Sequence, residues 1–364
     1  MQFDINLHLR PSASFIGILA ELNEKYSDWT DGSYDWANQT TDFLSAPKSL
    51  PELDVSIFQT PLSQRALNDL LQIGIAMMAG NFVQIRDYLK DVRYSFVVGF
   101  PRSGGSYLTK EMIRSIGLDH TRVSEALAHD GFPGLRDTWY DLVDGRPYYH
   151  LQDAIFQVAE FLVISSLYYR RKTTQLRDGY WLVPKKMHKL VSWSGSMKML
   201  LGGSGAEYLV TVRHPVPTAI SIYEKSGGKP ESGRFPGKKP RSAIEQWIVN
   251  DLVHLGYNLD DIDSMDYFEA VRLSWMQFHL KLATSGIFLA QRKDVTLISY
   301  GKDTLEQAVT DFGSRHGCKP REIEEVVLND KAAGLDVSKG DVAVEQVRQA
   351  WAGLGLSMPE LTLA

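Results

Sequence analysis

Four short apolar runs place the strongest limit on what this chain can fold into. They lie at residues 94–100 (YSFVVGF), 180–187 (YWLVPKKM), 206–213 (AEYLVTVR) and 294–300 (DVTLISY). Runs of this length and composition are typical of strands that are buried on both faces of a sheet. Because helical stretches separate them, they predict an α/β fold with three layers, in which helices flank a central, mostly parallel sheet.

The composition is that of a globular protein. With 364 residues, 44% of them hydrophobic, the chain can bury a full core. Its net charge of -5 argues against a general binder of nucleic acid or of anionic membranes. The first residues show no export signal, and no apolar window is long enough to span a bilayer. Together with the single cysteine, Cys318, these features predict a cytoplasmic protein without disulfides, membrane anchor or cysteine metal cluster.

The chain divides into two predicted parts. Residues 1–92 are expected to form an N-terminal helical extension packed on the core, with helical patterns at 15–26 and 63–89. Residues 93–364 are expected to form one α/β domain. Within it, residues 225–241 (KSGGKPESGRFPGKKPR) are rich in glycine, proline and basic residues and lack apolar periodicity. We expect a mobile loop there, which could act as a lid or be a solvated insertion.

The loop after the first run has the glycine spacing of a phosphate-binding loop. Residues 99–108 (GFPRSGGSYL) stand between the predicted strand and an amphipathic helix. Backbone N–H groups in such a turn, together with the positive end of the helix dipole, form a cradle for an anion. The loop adds glycines for close approach, hydroxyl donors and a permanent cation, namely Gly104 and Gly105, Ser103 and Ser106, and Arg102. The alternative is a glycine turn that only joins a strand to a helix.

A comparison with the Walker form, G-x-x-x-x-G-K-[ST], narrows the kind of phosphate loop. Gly99, Gly104 and Ser106 fit the form, but Gly105 stands at the lysine position. That lysine holds the terminal phosphates of a nucleoside triphosphate, while a metal ion neutralises the remaining charge. Its absence disfavours a P-loop kinase or NTPase, although this alternative stays open beside a nucleotide-binding module without turnover.

The loop resembles the one that follows the first strand of sulfotransferases that use 3′-phosphoadenosine-5′-phosphosulfate (PAPS), which has the form P-[KR]-S-G-[TS]-[TS]. The matching residues are Pro101, Arg102, Ser103, Gly104, Ser106 and the aromatic Tyr107. Gly105 departs from the form and removes one hydroxyl, so its backbone N–H would have to contact the 5′-phosphate. The resemblance implies a P-loop NTPase-like sulfotransferase fold. It makes Tyr107 a stacking partner for adenine, with a buried structural tyrosine as the alternative.

Two further segments resemble the phosphate-binding segments of this family. Arg213 ends the third run, at the sheet edge where ligands bind in α/β proteins, and Ser221 follows eight positions later. In the family this pair holds the 3′-phosphate of the cofactor. The family often closes that site with Arg-Lys-Gly, for which Lys339 and Gly340 in VSKGD are the candidates here. The structural alternatives are a surface ion pair for Arg213 and a helix-face position for Ser221.

The segment VPKKMHKL resembles the family's Lys-x-His segment. Lys186 and His188 fit it, and Lys185 is a near neighbour. The resemblance implies that His188 is the catalytic base and that Lys186 is directed at the sulfuryl oxygens. A lone histidine is more often structural, and Glu111 and His129 are rival candidates for the base.

Together these segments imply transfer of a sulfuryl group from PAPS to a hydroxyl or amine of a small-molecule acceptor. Arg102 and Lys186 would stabilise charge on the bridging and sulfuryl oxygens, and His188 would accept the proton of the acceptor. A sulfuryl group carries less charge than a phosphoryl group, so we expect no metal ion. We also expect neither a nucleic-acid nor a membrane partner. The aromatic segment at residues 138–150 could frame the acceptor pocket. Neither the acceptor nor the oligomeric state follows from the sequence.

Overall fold

The central feature of the fold is a four-stranded sheet. The computed structural model describes residues 11–23, 55–130, 132–133, 151–176, 178–192, 194–202, 205–228, 233–289, 294–318 and 337–363, so the aromatic segment at 138–150 lies outside the described residues. The strands are Val92–Gly99 (β1), Trp181–Lys186 (β2), Ala206–Val212 (β3) and Val295–Ser299 (β4). All are parallel and pair in the order β2-β1-β3-β4. The predicted parallel sheet and the positions of its strands are confirmed.

Helices precede, connect and follow the strands. In chain order they are Ala13–Leu22 (α1), Pro61–Met78 (α2), Phe82–Tyr88 (α3), Gly105–Ser115 (α4), Glu125–Ala128 (α5), Leu151–Lys172 (α6), Ser194–Leu201 (α7), Pro215–Lys225 (α8), Ala243–His254 (α9), Leu259–Ser264 (α10), Tyr267–Thr284 (α11), Gly286–Leu289 (α12), Lys302–His316 (α13) and Ser338–Gly353 (α14). Side-chain caps start several of them: Thr60 caps α2, Ser242 caps α9 and Asp266 caps α11. Such caps satisfy N–H groups that have no acceptor within the helix.

Helices cover both faces of the sheet. On one face, Tyr94 of β1 packs against Phe161 of α6 with ring centroids 5.6 Å apart, and its hydroxyl lies 3.1 Å from Ser165 Oγ. On the other face, Val97 of β1 lies beneath Gly105, the first residue of α4, and α13 packs beside α4. Successive side chains of a strand point to opposite faces of the sheet, so the side chains of one strand pack against helices on both faces. The chain is therefore an α/β protein with helices flanking a parallel sheet.

The helices before β1 pack against α6. Ser12 caps α1, and its N–H and hydroxyl both donate to the buried Glu160 of α6, at 3.0 and 2.5 Å. α2 lies along α6 at Gly74, where a Cβ atom would come within 2.3 Å of the Phe156 ring. α2 and α3 cover the helical pattern predicted at residues 63–89. The described part of the N-terminal region thus lies against the α/β core.

Residues 233–241 of the predicted mobile loop are tied down by hydrogen bonds. The N–H of Phe235 donates to Met265 O at 2.8 Å, and Phe235 is only 1% exposed. The N–H and Nη2 of Arg241 donate to the buried Glu245 at 2.7 and 2.6 Å. The buried Phe235 ring and the buried Glu245 carboxylate thus anchor residues 233–241 to the core, although these residues have no apolar periodicity. The mobility of residues 225–241 stays a prediction.

Candidate functional site

The strand order makes the carboxyl ends of β1 and β3 a switch point in the sheet. The chain passes from β1 to β2 on one side and then crosses to β3 and β4 on the other. In open parallel sheets the loops diverge at such a switch point, and ligands bind there. The loop at residues 99–108 leaves β1 at this point, and Arg213 leaves β3 beside it. The topology therefore brings the first two predicted segments to one place.

The first part of the loop is closed against β3. Ser103 Oγ lies 2.8 Å from Thr211 Oγ1 and donates to Phe100 O at 2.6 Å. Gly99 leaves room for this contact, because a Cβ atom there would lie 2.1 Å from Thr211 Oγ1 and 2.6 Å from Ser103 Oγ. Ser103 is 2% exposed. The Ser103 hydroxyl shapes the loop through these contacts, and its binding of an anion stays a prediction.

The turn itself contains two residues in the left-handed region. Arg102 has a φ of 70° and Gly104 a φ of 91°. A non-glycine residue in this region costs about 1–3 kcal/mol and persists where its surroundings impose it. Arg102 and Ser106 are exposed, the latter in the first turn of α4, whose N–H groups lack acceptors within the helix. Gly105 is buried, and Tyr107 is partly buried against the hydrophobic core.

The two predicted phosphate-binding segments meet at Arg102. Its Nε donates to Ser221 Oγ of α8 at 2.9 Å, and its carbonyl oxygen accepts from Arg213 Nη1 at 3.1 Å. Arg213 Cζ lies 4.0 Å from the ring centroid of Tyr300. Burial lowers the pKa of Arg213 and the charge of Arg102 adds to this effect, but a guanidinium stays protonated at working pH. We refer to Arg102, Arg213 and Ser221 as the arginine cluster.

On the other side of the loop, Lys186 ends β2 and faces α4. Its side chain passes Gly105, where a Cβ atom would lie 3.4 Å from Lys186 Cε. Lys186 Nζ lies 3.5 Å from Asp130 Oδ2. The predicted lysine is therefore next to the loop, and the structure adds a carboxylate that the sequence did not predict.

His188 lies in the 3₁₀ turn after β2 and is held by the same carboxylate. Its backbone N–H donates to Asp130 Oδ1 at 2.7 Å, and its Nδ1 lies 2.6 Å from Oδ2. The second contact has the distance of an ion pair but is bent away from hydrogen-bond geometry. The ring packs on Trp247, with centroids 4.8 Å apart. Because Nδ1 faces the carboxylate, Nε2 is the nitrogen that can accept a proton from a substrate.

The groups around Asp130 keep it ionised. Burial alone would raise its pKa, but the charges of His188 and Lys186 lower it, and the net pKa lies below the ordinary value. Asp130 can therefore balance a positive charge on the imidazole when the ring accepts a proton. Asp130 is 58 residues from His188 in the chain, and the only signal in the sequence was its place beside the rival His129. We refer to Lys186, His188 and Asp130 as the base cluster.

The two rival bases are less suited to proton transfer. Glu111 is 3% exposed, and its Oε1 accepts a hydrogen bond from Arg114 Nη1 at 2.9 Å. Burial lowers the pKa of His129 to about 4, and the charge of Lys186 adds to this effect. A carboxylate tied to an arginine and a histidine that resists protonation are both weak general bases near neutral pH.

Lys339 and Gly340 lie beside His214, the residue that follows Arg213 in the chain. They lie in the first turn of α14 and line a cavity of about 270 Å³ with residues from the starts of α8 and α11. Gly340 packs on His214, where a Cβ atom would lie 2.7 Å from His214 Cε1. Ser221 lies five positions after Val216, another residue of the cavity wall, and so on a different face of α8. Among the contacts of the described residues, Lys339 and Gly340 do not join Arg102 and Ser221.

The remaining observations concern membranes, metals and related proteins. In the part of the chain that the structure describes, no helix combines the length and the apolar character needed to cross a lipid bilayer. Nor do three or more histidine, cysteine, aspartate or glutamate side chains gather there in an arrangement that could hold a metal ion. Comparisons of the chain with protein-family models, with curated proteins and with solved structures found no match.

Proposed function

We propose that this protein is a sulfotransferase that moves a sulfuryl group from PAPS to a hydroxyl or amine of a small molecule. The observation that carries the proposal is that a single glycine loop has the arginine cluster on one side and the base cluster on the other. Such an arrangement suits a donor that is held by its phosphates and reacts at its far end.

The residues that are present fit this donor. The first turn of α4 offers N–H groups to a 5′-phosphate, and the Lys186 side chain lies beside Gly105 at the start of that turn. The arginine cluster offers guanidinium groups and a hydroxyl to a second phosphate. When bound, PAPS supplies the sulfuryl group, and adenosine 3′,5′-bisphosphate leaves as the product.

His188 is the proposed general base. Its Nε2 would accept the proton of the acceptor while the new oxygen–sulfur bond forms and the bond from sulfur to the bridging oxygen breaks. The electron pair of the broken bond goes to the departing phosphate oxygen. Asp130 accepts the backbone N–H of His188, lies 2.6 Å from Nδ1 and would balance the charge that the ring gains. A base of this kind contributes on the order of 10²–10⁴-fold to the rate.

Lys186 is the proposed source of positive charge at the reacting end. A preorganised cation stabilises the transition state where negative charge develops, and it costs no reorganisation during the reaction. Asp130 sets the position of Lys186 and His188 together, since both side chains approach the same carboxylate oxygen. Because Lys186 and the arginine cluster carry fixed charges, we expect nucleotide binding and transfer without magnesium.

Nucleotide binding tests the proposal against the kinase and NTPase alternative. We expect adenosine 3′,5′-bisphosphate to raise the melting temperature in the presence of a chelator. A ligand at 100 times its Kd adds about 2.7 kcal/mol to the free energy of unfolding, which a thermal-shift assay detects. A shift that appears only with ATP and magnesium would contradict the sulfotransferase.

Turnover distinguishes an enzyme from a binding module. With PAPS and a panel of alcohols, phenols, sugars and amines, we expect release of adenosine 3′,5′-bisphosphate that depends on the acceptor and is measured by chromatography. The control is adenosine 5′-phosphosulfate, which lacks the 3′-phosphate and should be a poor donor. Tight binding of the bisphosphate without turnover of any acceptor would favour the non-catalytic module.

A further inference from the structure

Lys185 is a buried lysine beside the base cluster that the proposed reaction does not use. It is 0% exposed and points to the face of the sheet opposite to Lys186. Its Nζ donates to Ala126 O at 3.0 Å, to Leu127 O at 3.1 Å and to His129 O at 2.7 Å. The three donors of one ammonium group thus meet three carbonyl oxygens.

These carbonyl groups offset the cost of burying Lys185. Burial lowers the pKa of Lys185 to about 7, and the Asp130 carboxylate acts in the opposite direction. The Phe161 ring, whose centroid lies 4.9 Å from Nζ, adds a cation–π contact. A neutral amine has two N–H donors and would leave one of the three carbonyl groups without its bond. The ammonium is therefore the form that matches this site.

The three carbonyl groups belong to the segment that carries Asp130. α5 has four residues, too few to be stable alone, and its last carbonyl groups have no donor within the helix. His129 O belongs to the peptide group that joins His129 to Asp130. The hydrogen bond from Lys185 therefore fixes the orientation of the peptide group that precedes the Cα atom of Asp130. At the far end, Asp130 Oδ1 accepts the N–H of His188. The end of β2 and the turn after it thus hold residues 126–130 at two points.

We propose that Lys185 is a positioning residue, which holds the backbone of residues 126–130 so that Asp130 orients the imidazole of His188. The kinetic part of this inference rests on the proposed sulfotransferase function. The structural part, the orientation of the ring, can be measured without turnover.

The tautomer of His188 tests the structural part. Nitrogen NMR of protein labelled in its histidines should show His188 as the Nδ1–H tautomer in the wild type and as a mixture of tautomers in D130N. K185M should give the same mixture. K189M is the matched control, because the charge of Lys189 also acts on Asp130 while the three bonds of Lys185 stay in place. A folded K185M with the wild-type tautomer overturns the proposal, as does a tautomer mixture in the wild type.

Kinetics test whether Lys185 acts through Asp130. K185M should lower kcat by on the order of 100-fold, since small displacements of catalytic groups have effects of this size, and should leave the Kd of adenosine 3′,5′-bisphosphate unchanged. In the D130N background, K185M should lower kcat little further, because both substitutions disturb the same contact between Asp130 and His188. An equal loss in both backgrounds overturns the proposal. If the wild type does not turn over PAPS, the proposed function fails, while the tautomer comparison still decides the role of Lys185.

K185Q covers the case in which K185M does not fold. A glutamine amide keeps two N–H donors but no charge, so it can hold part of the segment at residues 126–130. We expect K185Q to fold and to show a tautomer mixture and a reduced kcat. Wild-type values for both in K185Q overturn the proposal.

Discussion

The two edges of the sheet both carry buried ionic groups, but they are built differently. At the amino edge, Glu207 is bonded from several sides: Ser95 Oγ and His316 Nε2 lie 2.5 and 2.6 Å from Oε1, and Arg315 Nη1 donates to Oε2 at 3.0 Å. Tyr180 Oη lies 2.7 Å from His316 Nδ1. Both carboxylate oxygens and both ring nitrogens are used. We refer to these residues as the Glu207 cluster.

The carboxyl edge leaves capacity for a ligand. Arg102 is exposed and has a positive φ, Ser106 is exposed in the first turn of α4, and Nδ1 is the ring nitrogen of His188 that faces Asp130. The pKa values do not distinguish the edges. For both Glu207 and Asp130, burial acts to raise the pKa and neighbouring positive groups lower it below the ordinary value.

This comparison shows which feature of a buried network points to function. A network whose members are all bonded to one another fixes the fold, because each polar group already has its partners. A network that contains a residue in a strained backbone conformation, and a ring nitrogen that can bind a substrate, lowers the stability of the free protein. Ligand binding can offset that free-energy cost. Four pairs of substitutions test this distinction.

The largest expected contrast is between two histidines. H188A should lower kcat by about 1,000-fold, within the range that a general base contributes, and leave the Kd of adenosine 3′,5′-bisphosphate unchanged. H316A should keep kcat and lower the melting temperature, because it breaks the Glu207 cluster. Steady-state kinetics and calorimetry measure both effects. Unchanged turnover in H188A would move the base to His129 or Glu111.

The next contrast is between two arginines. R213A should weaken binding of adenosine 3′,5′-bisphosphate by about 10- to 100-fold, since a hydrogen bond to a charged group contributes about 1.5–3 kcal/mol. It should have little effect on AMP, which lacks the 3′-phosphate, and R315A at the amino edge should leave both affinities unchanged. Isothermal titration calorimetry gives the four values. If R213A weakened both nucleotides equally, Arg213 would not be a 3′-phosphate ligand.

Two glycines test whether the shape of the loop matters. G99A should lower the free energy of unfolding by about 1–3 kcal/mol and weaken nucleotide binding, because the added Cβ overlaps Thr211 and Ser103. G353A is the control, since a Cβ at this position of α14 meets nothing within 4 Å. It should keep the affinity and leave stability unchanged or slightly raised, because alanine favours helix. Urea unfolding and nucleotide titration measure the two effects; equal behaviour of both variants contradicts this account of the loop.

The smallest expected effect is a pH dependence of stability. In the folded state the pKa of Glu207 is lowered from its ordinary value of about 4.5. The contribution of Glu207 to the free energy of unfolding is therefore present above about pH 4.5 and is lost as the pH falls through the lowered pKa. Burial raises the pKa of Glu160 to about 7. The contribution of Glu160 to the free energy of unfolding is therefore fully present below about pH 4.5 and is lost as the pH rises through about 7.

The two carboxylates can be separated by unfolding at several pH values. E207Q should flatten the acid side of the stability profile, and E160Q should flatten the side between about pH 4.5 and 7. E207Q keeps one acceptor oxygen and replaces the other by an NH₂ group, so it removes the acceptor of either Arg315 or His316 and should cost about 1–3 kcal/mol at neutral pH. Parallel profiles of E207Q and the wild type would contradict the proposed role of the amino edge.

Much of the fold could be predicted because its signals are local. Strands buried on both faces are continuous apolar runs, and each predicted run matches a strand to within two residues at each end. The meeting of Arg102 with Arg213 and Ser221 was also predictable, since each arginine follows a strand and neighbouring parallel strands end at the same edge. Whether this cluster binds phosphate stays a prediction.

Other parts of the candidate site could not be predicted, because residue type does not reveal a side chain's partner. Ser103 matched a phosphate-binding pattern, yet its hydroxyl bonds to Thr211, 108 residues away. Lys339 and Gly340 matched part of a late segment, and only the fold places them by a cavity at the starts of α8 and α11. Residues 225–241 are basic and lack apolar periodicity, so the burial of Phe235 could not be predicted from them.

The strands, the place of the glycine loop and the cations that follow it could be read from the amino-acid sequence, because these features depend on neighbours within a few positions. The contact of Asp130 with His188 and the bonds from Lys185 to the segment of Asp130 required the folded chain, because they join residues that are 58 and 56–59 positions apart. Such contacts depend on the order and register of the strands and on which face each side chain takes. No local pattern of residues encodes them.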